Sequence, residues 1–170
     1  MTNPLLTPFD RDGLLATRNR TVMSAMTRGF ADADHCATPA MVEYYRKRAA
    51  GGCGLILTEG VVIHPSGDGY KDVPRIATDA QAESWRPVVD GVHAEGGKIA
   101  LQLWHCGRIS HEDFTDGNQP VSSTAQVAAG QREAVAQAIR PSAMRTMRSA
   151  RLATVSSCVM TSSPAPAAAA

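Results

Sequence analysis

Apolar positions recur at two different spacings along much of this chain, and the alternation between them lays out its elements. Between Leu5 and Arg20, short apolar runs flank Asp10-Arg11-Asp12-Gly13. Asp-Gly between such runs predicts a hairpin, because glycine accepts the positive φ of a tight turn. Thr21-Val22-Met23-Ser24-Ala25-Met26-Thr27-Arg28 follows as a first core strand whose tip, Ala25-Met26-Thr27, ends in a hydroxyl. After a loop from Gly29 to Cys36, Thr38-Pro39 opens a helix, with threonine as N-cap and proline where its missing N–H costs nothing. Met41, Tyr44, Tyr45 and Ala49 keep helical spacing, Arg46-Lys47-Arg48 forms a solvated basic end, and Gly51-Gly52 stops it.

Cys53-Gly54-Leu55-Ile56-Leu57-Thr58-Glu59-Gly60 is a second short apolar run with a polar tip. The loop Val61 to Pro74 carries His64, Gly67, Gly69 and Tyr70. Thr78 and Asp79 then cap a helix with an apolar stripe of Trp85, Val88, Val89 and Val92, closed by Gly96-Gly97. Lys98-Ile99-Ala100-Leu101-Gln102-Leu103-Trp104 is too short for a stable helix and suits a buried strand. The order strand, helix, strand, helix, strand, with crossover-length connections, predicts parallel strands joined in the right-handed sense. Gln102, Trp104, His105 and Arg108 fall at the C-terminal end of the third strand, where barrels of this build carry their chemistry.

Composition narrows the setting. The net charge of +1 over 170 residues recommends neither nucleic acid nor a membrane surface as partner. Four cysteines without a C-x-x-C pair point to reduced thiols. No run of eighteen apolar residues and no signal-peptide pattern occur, so a soluble, cytoplasmic protein is expected. His105, Cys106 and His111 include zinc-type ligands, yet no fourth ligand has suitable spacing, so no metal is expected. His35-Cys36 reads as loop.

Six segments together resemble the N-terminal part of the old yellow enzyme family. They are Asn19-Arg20-x-x-Met23-x-x-Met26-Thr27-Arg28, Glu43-Tyr44-Tyr45-x-x-Arg48-Ala49, Gly54-Leu55-Ile56-Leu57-Thr58-Glu59-Gly60, Gly67-x-Gly69-Tyr70, Val92-His93-Ala94-x-Gly96-Gly97-Lys98-Ile99 and Gln102-Leu103-Trp104-His105-x-Gly107-Arg108. The resemblance spans about residues 3 to 125. It implies an α/β fold: the first three strands and two helices of a (β/α)8 TIM barrel, preceded by a hairpin, with residues 1–125 as the N-terminal portion of an FMN-binding barrel. It also implies an oxidoreductase that binds FMN without a covalent bond. Such enzymes take hydride from NADH or NADPH and pass it to the activated C=C of a small enal, enone or nitroalkene.

The resemblance assigns roles residue by residue. Ala25, Met26 and Thr27 correspond to the strand tip that holds the flavin edge, with the Thr27 hydroxyl near the carbonyl beside N5. Ala25 stands where family members often have proline. Gly60 matches a small residue, commonly alanine, beside the isoalloxazine, and its missing side chain would leave the ring room to approach. Gln102 matches the glutamine whose amide, donor and acceptor at once, pairs with the pyrimidine edge of FMN. Tyr70 and Trp104 match residues lining the substrate side; ordinary aromatic packing is the alternative. No catalytic residue is assigned. The family's substrate-anchoring pair, tyrosine proton donor, arginine near flavin N1 and phosphate loop have no counterpart in this chain.

The likeness is expected to end by about Gln131. From Arg132 to Ala170 there is no glycine and no aromatic residue, and Glu133 is the one acid. Residues 126–170 therefore read as a low-complexity, disordered tail with a transient helix around Glu133 to Ile139. An out-of-frame or replaced tail is one source of such composition, and a basic interaction tail is another. Two functional readings stand: the family's FMN oxidoreductase, inactive in this chain alone, or a non-catalytic fragment or half-barrel that pairs with another chain. Substrate, choice of reductant and oligomeric state are not set by these residues.

Overall fold

The computed structural model describes residues 3–124, 126 and 137–138. Two antiparallel strands, β1 (Phe9–Arg11) and β2 (Leu15–Thr17), form the expected hairpin, with Arg11 opposite Leu15. Asp12 and Gly13 both take positive φ, 52° and 73°, and the Asp10 carboxylate accepts the Gly13 N–H at 3.0 Å. Aspartate tolerates the left-handed region because its short side chain can hydrogen-bond locally.

Strands β3 (Val22–Met23), β4 (Leu55–Val62) and β5 (Lys98–Trp104) make a parallel sheet in the order β3-β4-β5. The first core strand is shorter than the eight residues from Thr21 to Arg28 suggest, pairing only at Val22–Leu55 and Met23–Ile56. Beyond Met23 the backbone of β4 no longer receives it. A side chain of β4 takes over, as the site geometry shows.

The foot of the sheet is fixed by Arg18 and Asn19. Asn19 Nδ2 donates to Gly52 O at 2.6 Å, and its Oδ1 accepts from Thr21 N–H and Oγ1 at 3.0 and 2.6 Å. Gly54 is needed for this approach, since a Cβ there would lie 2.5 Å from Asn19 Oδ1. The Arg18 guanidinium donates to the carbonyls of Glu95 at 2.7 Å, Cys53 at 3.0 Å and Ala49, tying the ends of two helices to the start of the sheet.

Helix α1 (Pro39–Ala50) begins at Thr38 as expected, but the Thr38 hydroxyl donates to Phe30 O at 2.7 Å instead of capping the helix. The single helix expected from Thr78 past Val92 is two: α2 (Asp79–Ser84) and α3 (Arg86–Ala94), joined at Trp85. Pro87 is the physical reason, because it has no N–H and its ring crowds the carbonyl four residues back. A reciprocal Thr78–Gln81 capping box starts α2.

The helices cover one face of the sheet. Met41, Tyr45 and Ala49 of α1 meet Trp85 and Val88, Val89 and Val92 of α3 over Ile56, Val61 and Ile99 of the strands. Strand alternation leaves Leu57, Gly60, Gln102 and Trp104 on the opposite face.

Of the expected tail, Gln137–Ala138 form a short strand β7 parallel to β6 (Val121–Ser122), so the helix suggested there is not formed at these two residues. The rest of that expectation lies outside the described residues, apart from Gln126. No described helix is long and apolar enough to cross a membrane.

Trp85 is fully buried at the centre of the helix–sheet interface. Trp85→Ala is expected to cost about 3–5 kcal/mol through lost burial and the cavity left behind. Urea unfolding followed by circular dichroism measures it.

Candidate functional site

A bulge in β4 builds the C-terminal end of the sheet. Leu57 stands opposite Ala100, but the next paired residues are Gly60 and Gln102, so Thr58 and Glu59 together face the single residue Leu101. Thr58 fills the gap in the ladder: its hydroxyl accepts the Gln102 N–H at 3.1 Å and donates to Glu59 O at 2.8 Å. Bulges of this kind re-aim side chains. Here the outcome is that Gly60 lies beside Gln102, and Val62 beside Trp104.

The second bulged residue, Glu59, is buried to 1% exposure. One carboxylate oxygen accepts the N–H groups of Arg28 and Gly29 at 3.1 and 3.3 Å, and the other faces the Tyr45 hydroxyl at 3.5 Å. Tyr45 Oη also accepts the Glu59 N–H at 2.9 Å. Burial raises the Glu59 carboxyl above its ordinary range, opposed by the N–H groups of Arg28 and Gly29. This tie brings the chain after β3 back to β4, leaving Met26 and Thr27 exposed at the same end of the sheet.

Gly60 has a role that its sequence context does not announce. A Cβ there would lie 2.2 Å from Trp104 Cε3 and 2.7 Å from Cδ2. The missing side chain therefore makes room for the Trp104 indole, where the family resemblance implies room for a cofactor ring. Tyr70 covers the indole with ring centroids 5.1 Å apart and planes tilted by 32°. Tyr70 is itself more than half exposed, so the pair forms a wall facing outward and not a core contact.

Two loops hold that wall. The Arg75 guanidinium pairs with the buried Asp68 carboxylate, and Ser110 Oγ donates to Asp68 O. Cys106 N–H donates to Gly67 O at 2.9 Å. His105 Nδ1 accepts the Gly107 N–H at 3.0 Å, which puts the proton of a neutral ring on Nε2, directed at Ser66 Oγ 3.3 Å away. Ser66 offers both its N–H and its hydroxyl to His64 Nδ1, at 3.2 and 2.9 Å. Burial lowers the His105 imidazole below its ordinary value, with His64 adding to the effect. Burial, then Asp68, pushes the Cys106 thiol up to about 11, so it is a protonated packing group at neutral pH.

The structure thus gathers Gly60, Gln102, Trp104 and Tyr70 at one end of the sheet, with Ala25, Met26 and Thr27 at the same end in the segment that follows β3. Gln102 presents an exposed side-chain amide there, without a hydrogen bond to the described residues. Sequence reasoning missed Glu59, Thr58 and the His64–Ser66–His105 network. A charged residue inside the apolar run Leu55 to Val62 was the available signal for Glu59. Among the described residues no three His, Cys, Asp or Glu side chains are grouped as a metal site requires.

Parallel strands with crossover helices on one face define the early part of an α/β barrel, a fold whose sites lie at the C-terminal ends of the strands, where exposed polar groups stand here. Residues 4–154 match the NADH:flavin oxidoreductase / NADH oxidase family, and the chain belongs to that family. The match runs past Gln131, beyond the stretch in which the family motifs are legible in the sequence. The chain is 41% identical over 122 residues to 12-oxophytodienoate reductase 1 of Oryza sativa subsp. japonica, covering 71% of this chain and 31% of that relative. Among solved structures it is similar to the old yellow enzyme homologue from Zymomonas mobilis, with TM-score 0.73 and 36% identity over 85% of this chain and 42% of that one. It is also similar to morphinone reductase in complex with tetrahydroNAD, with TM-score 0.74 and 37% identity over 86% and 43% of the two chains. The chain therefore spans about a third of that curated relative and about two-fifths of those solved chains, and its fold is part of a TIM barrel.

Gly60→Ala is expected to drive the Trp104 indole off Tyr70 at a cost of about 1–3 kcal/mol, the usual range for overpacking. In a two-dimensional NMR spectrum the Trp104 indole N–H peak moves while that of Trp85 stays.

His105 supplies a pH prediction. A depressed imidazole pKa means the folded state binds fewer protons than the unfolded chain, so the stability it contributes is present above about pH 6.5 and lost as pH falls. The expected NMR titration midpoint of the His105 ring lies below that of free imidazole. His105→Gln removes part of the acid loss of stability, and the half-buried His93, shifted the same way by burial, retains the rest.

Proposed function

We propose that this chain is the flavin-facing portion of an FMN-dependent oxidoreductase of the old yellow enzyme type. In such an enzyme, hydride passes from NADH or NADPH by way of FMN to the activated C=C of a small enal, enone or nitroalkene. The observation that carries the reading is the exposed Gln102 amide in register with Gly60, one strand from the exposed Thr27 tip.

The residues present fit part of that cofactor. The Gln102 amide both donates and accepts, as a pyrimidine edge requires. Thr27 offers a hydroxyl, and Ala25 and Met26 offer backbone, at the neighbouring strand tip. Bound FMN supplies a two-electron carrier that accepts hydride from one substrate and gives it to another. The chain's own residues orient that ring and wall off its substrate side. Trp104, seated over Gly60 and covered by Tyr70, forms an apolar surface against which a small alkene can lie. The His64–Ser66–His105 ties keep that surface in place. The described residues offer no phosphate cradle and no assigned proton donor. Turnover therefore requires groups from elsewhere in the barrel.

A second reading has its own observation. Among the described residues β5 is paired on one side only, and Leu103 on it is 49% exposed. An open strand edge with an apolar flank invites another strand. The chain then acts as a half-barrel completed by a second polypeptide and is non-catalytic alone.

FMN retention separates the readings. Chain mixed with FMN and desalted is expected to keep visible flavin absorbance, and Gln102→Ala is expected to weaken binding roughly tenfold, as losing hydrogen bonds worth about 1.4 kcal/mol does. Colour that returns only when the remaining barrel strands are added in trans supports the second reading. No retention under either condition overturns both.

A further inference from the structure

Glu59 is an uneconomical residue to bury for packing alone. It is 1% exposed, flanked in sequence by Thr58 and Gly60, and the apolar groups of the core surround its strand. No ion pair to Glu59 is formed among the described residues: the Arg28 charge acts on it only from a distance, its guanidinium lying over the Phe30 and Tyr44 rings, 5.6 and 5.5 Å from their centroids. A buried carboxylate without a direct ion-pair partner is costly, and an apolar residue of similar size would do better in a purely structural role.

What the carboxylate does is local and specific. The ladder between β3 and β4 ends at Met23–Ile56. Five residues later the same oxygen of Glu59 receives two successive backbone N–H groups, those of Arg28 and Gly29. Gly29 takes a φ of 65°, which turns the chain away so that Ala31 N–H reaches Asp72 O at 3.1 Å. The segment Ser24 to Thr27 is therefore suspended between a short ladder at one end and one side-chain oxygen at the other. The bulge that places Gly60 beside Gln102 is the same bulge that turns Glu59 toward the loop.

We propose that Glu59 is a positioning residue: its carboxylate oxygen, by accepting the Arg28 and Gly29 N–H groups, sets the height of Ala25-Met26-Thr27 relative to Gly60 and Gln102. The effect on cofactor binding rests on the flavin reading above; the effect on the loop does not. An acceptor oxygen, and not a negative charge, is what the geometry uses, so glutamine can serve in its place and leucine cannot.

Amide hydrogen exchange and FMN titration on Glu59→Gln and Glu59→Leu test this. Glu59→Leu is expected to speed exchange at Arg28 and Gly29 at least tenfold while core amides of β4 and β5 keep their protection, and to weaken FMN binding several-fold. Glu59→Gln is expected to stay close to the unsubstituted chain in both. Unchanged exchange in Glu59→Leu, or a glutamine variant as damaged as the leucine one, overturns the proposal. If no variant binds FMN, the flavin reading fails while the exchange result still decides the tie. Should Glu59→Leu not fold, the Arg28 and Gly29 amide resonances of the unsubstituted chain decide instead. They are expected to shift with titration of one carboxyl, and that titration disappears in Glu59→Gln; resonances that ignore it overturn the proposal.

Discussion

The irregularity between Leu57 and Gly60 constrains everything at the upper end of this sheet. A regular parallel ladder would continue residue for residue from Leu57–Ala100, and Gly60 would then stand opposite Leu103 in place of Gln102. Because side chains alternate across a strand, that slip would move the partners of β5 to the other face. The inserted residue instead puts a glycine beside an amide and makes space for an indole. Thr58 makes this affordable by accepting the N–H that the broken ladder would strand.

Rigid and tied parts divide the site between them. Gly60, Gln102 and Trp104 are carried on strands backed by the helix-covered core, so their spacing follows from backbone pairing. Tyr70 and Thr27 sit on loops whose geometry depends on a few side chains: Asp68 with Arg75, Ser66 between two histidines, and Glu59. Each of those is partly or fully withdrawn from water and hydrogen-bonded, which strengthens the contact and raises the cost of losing a partner. The loops are therefore specified, though they have little regular structure.

The sequence displays those features that local chemistry alone decides. Asp12-Gly13 states its hairpin, Thr38-Pro39 its helix start, and the apolar stripes of α1 and α3 their buried faces. Trp85 shows where such reading stops: the stripe runs unbroken through it, and only the weight given to Pro87 separates one helix from two. The first core strand is shorter than its apolar pattern because pairing depends on what the neighbour offers, and β4 offers Met23 its last ladder partner. Gly60 is the sharpest case. A glycine at a strand end is legible as a close approach, but which group approaches is a property of the adjacent strand's register. Glu59 reads in the sequence as a polar tip, since nothing in a linear string tells an exposed carboxylate from one folded inward onto two amides.

The same division explains why membership of the family and activity of the chain are separate matters. Family likeness resides in strand tips and crossovers, which this chain has over a length equal to about two-fifths of the solved chains it matches. A barrel distributes binding over all its strands, and a cofactor held from one side keeps only the contacts of that side. The portion present supplies the amide, the hydroxyl and the aromatic wall. On the flavin reading proposed above these groups would face the ring, while the phosphate would need backbone N–H groups and positive charge near a helix N-terminus. On that reading, ring contacts without a phosphate cradle would set how a flavin lies more firmly than how tightly it is held.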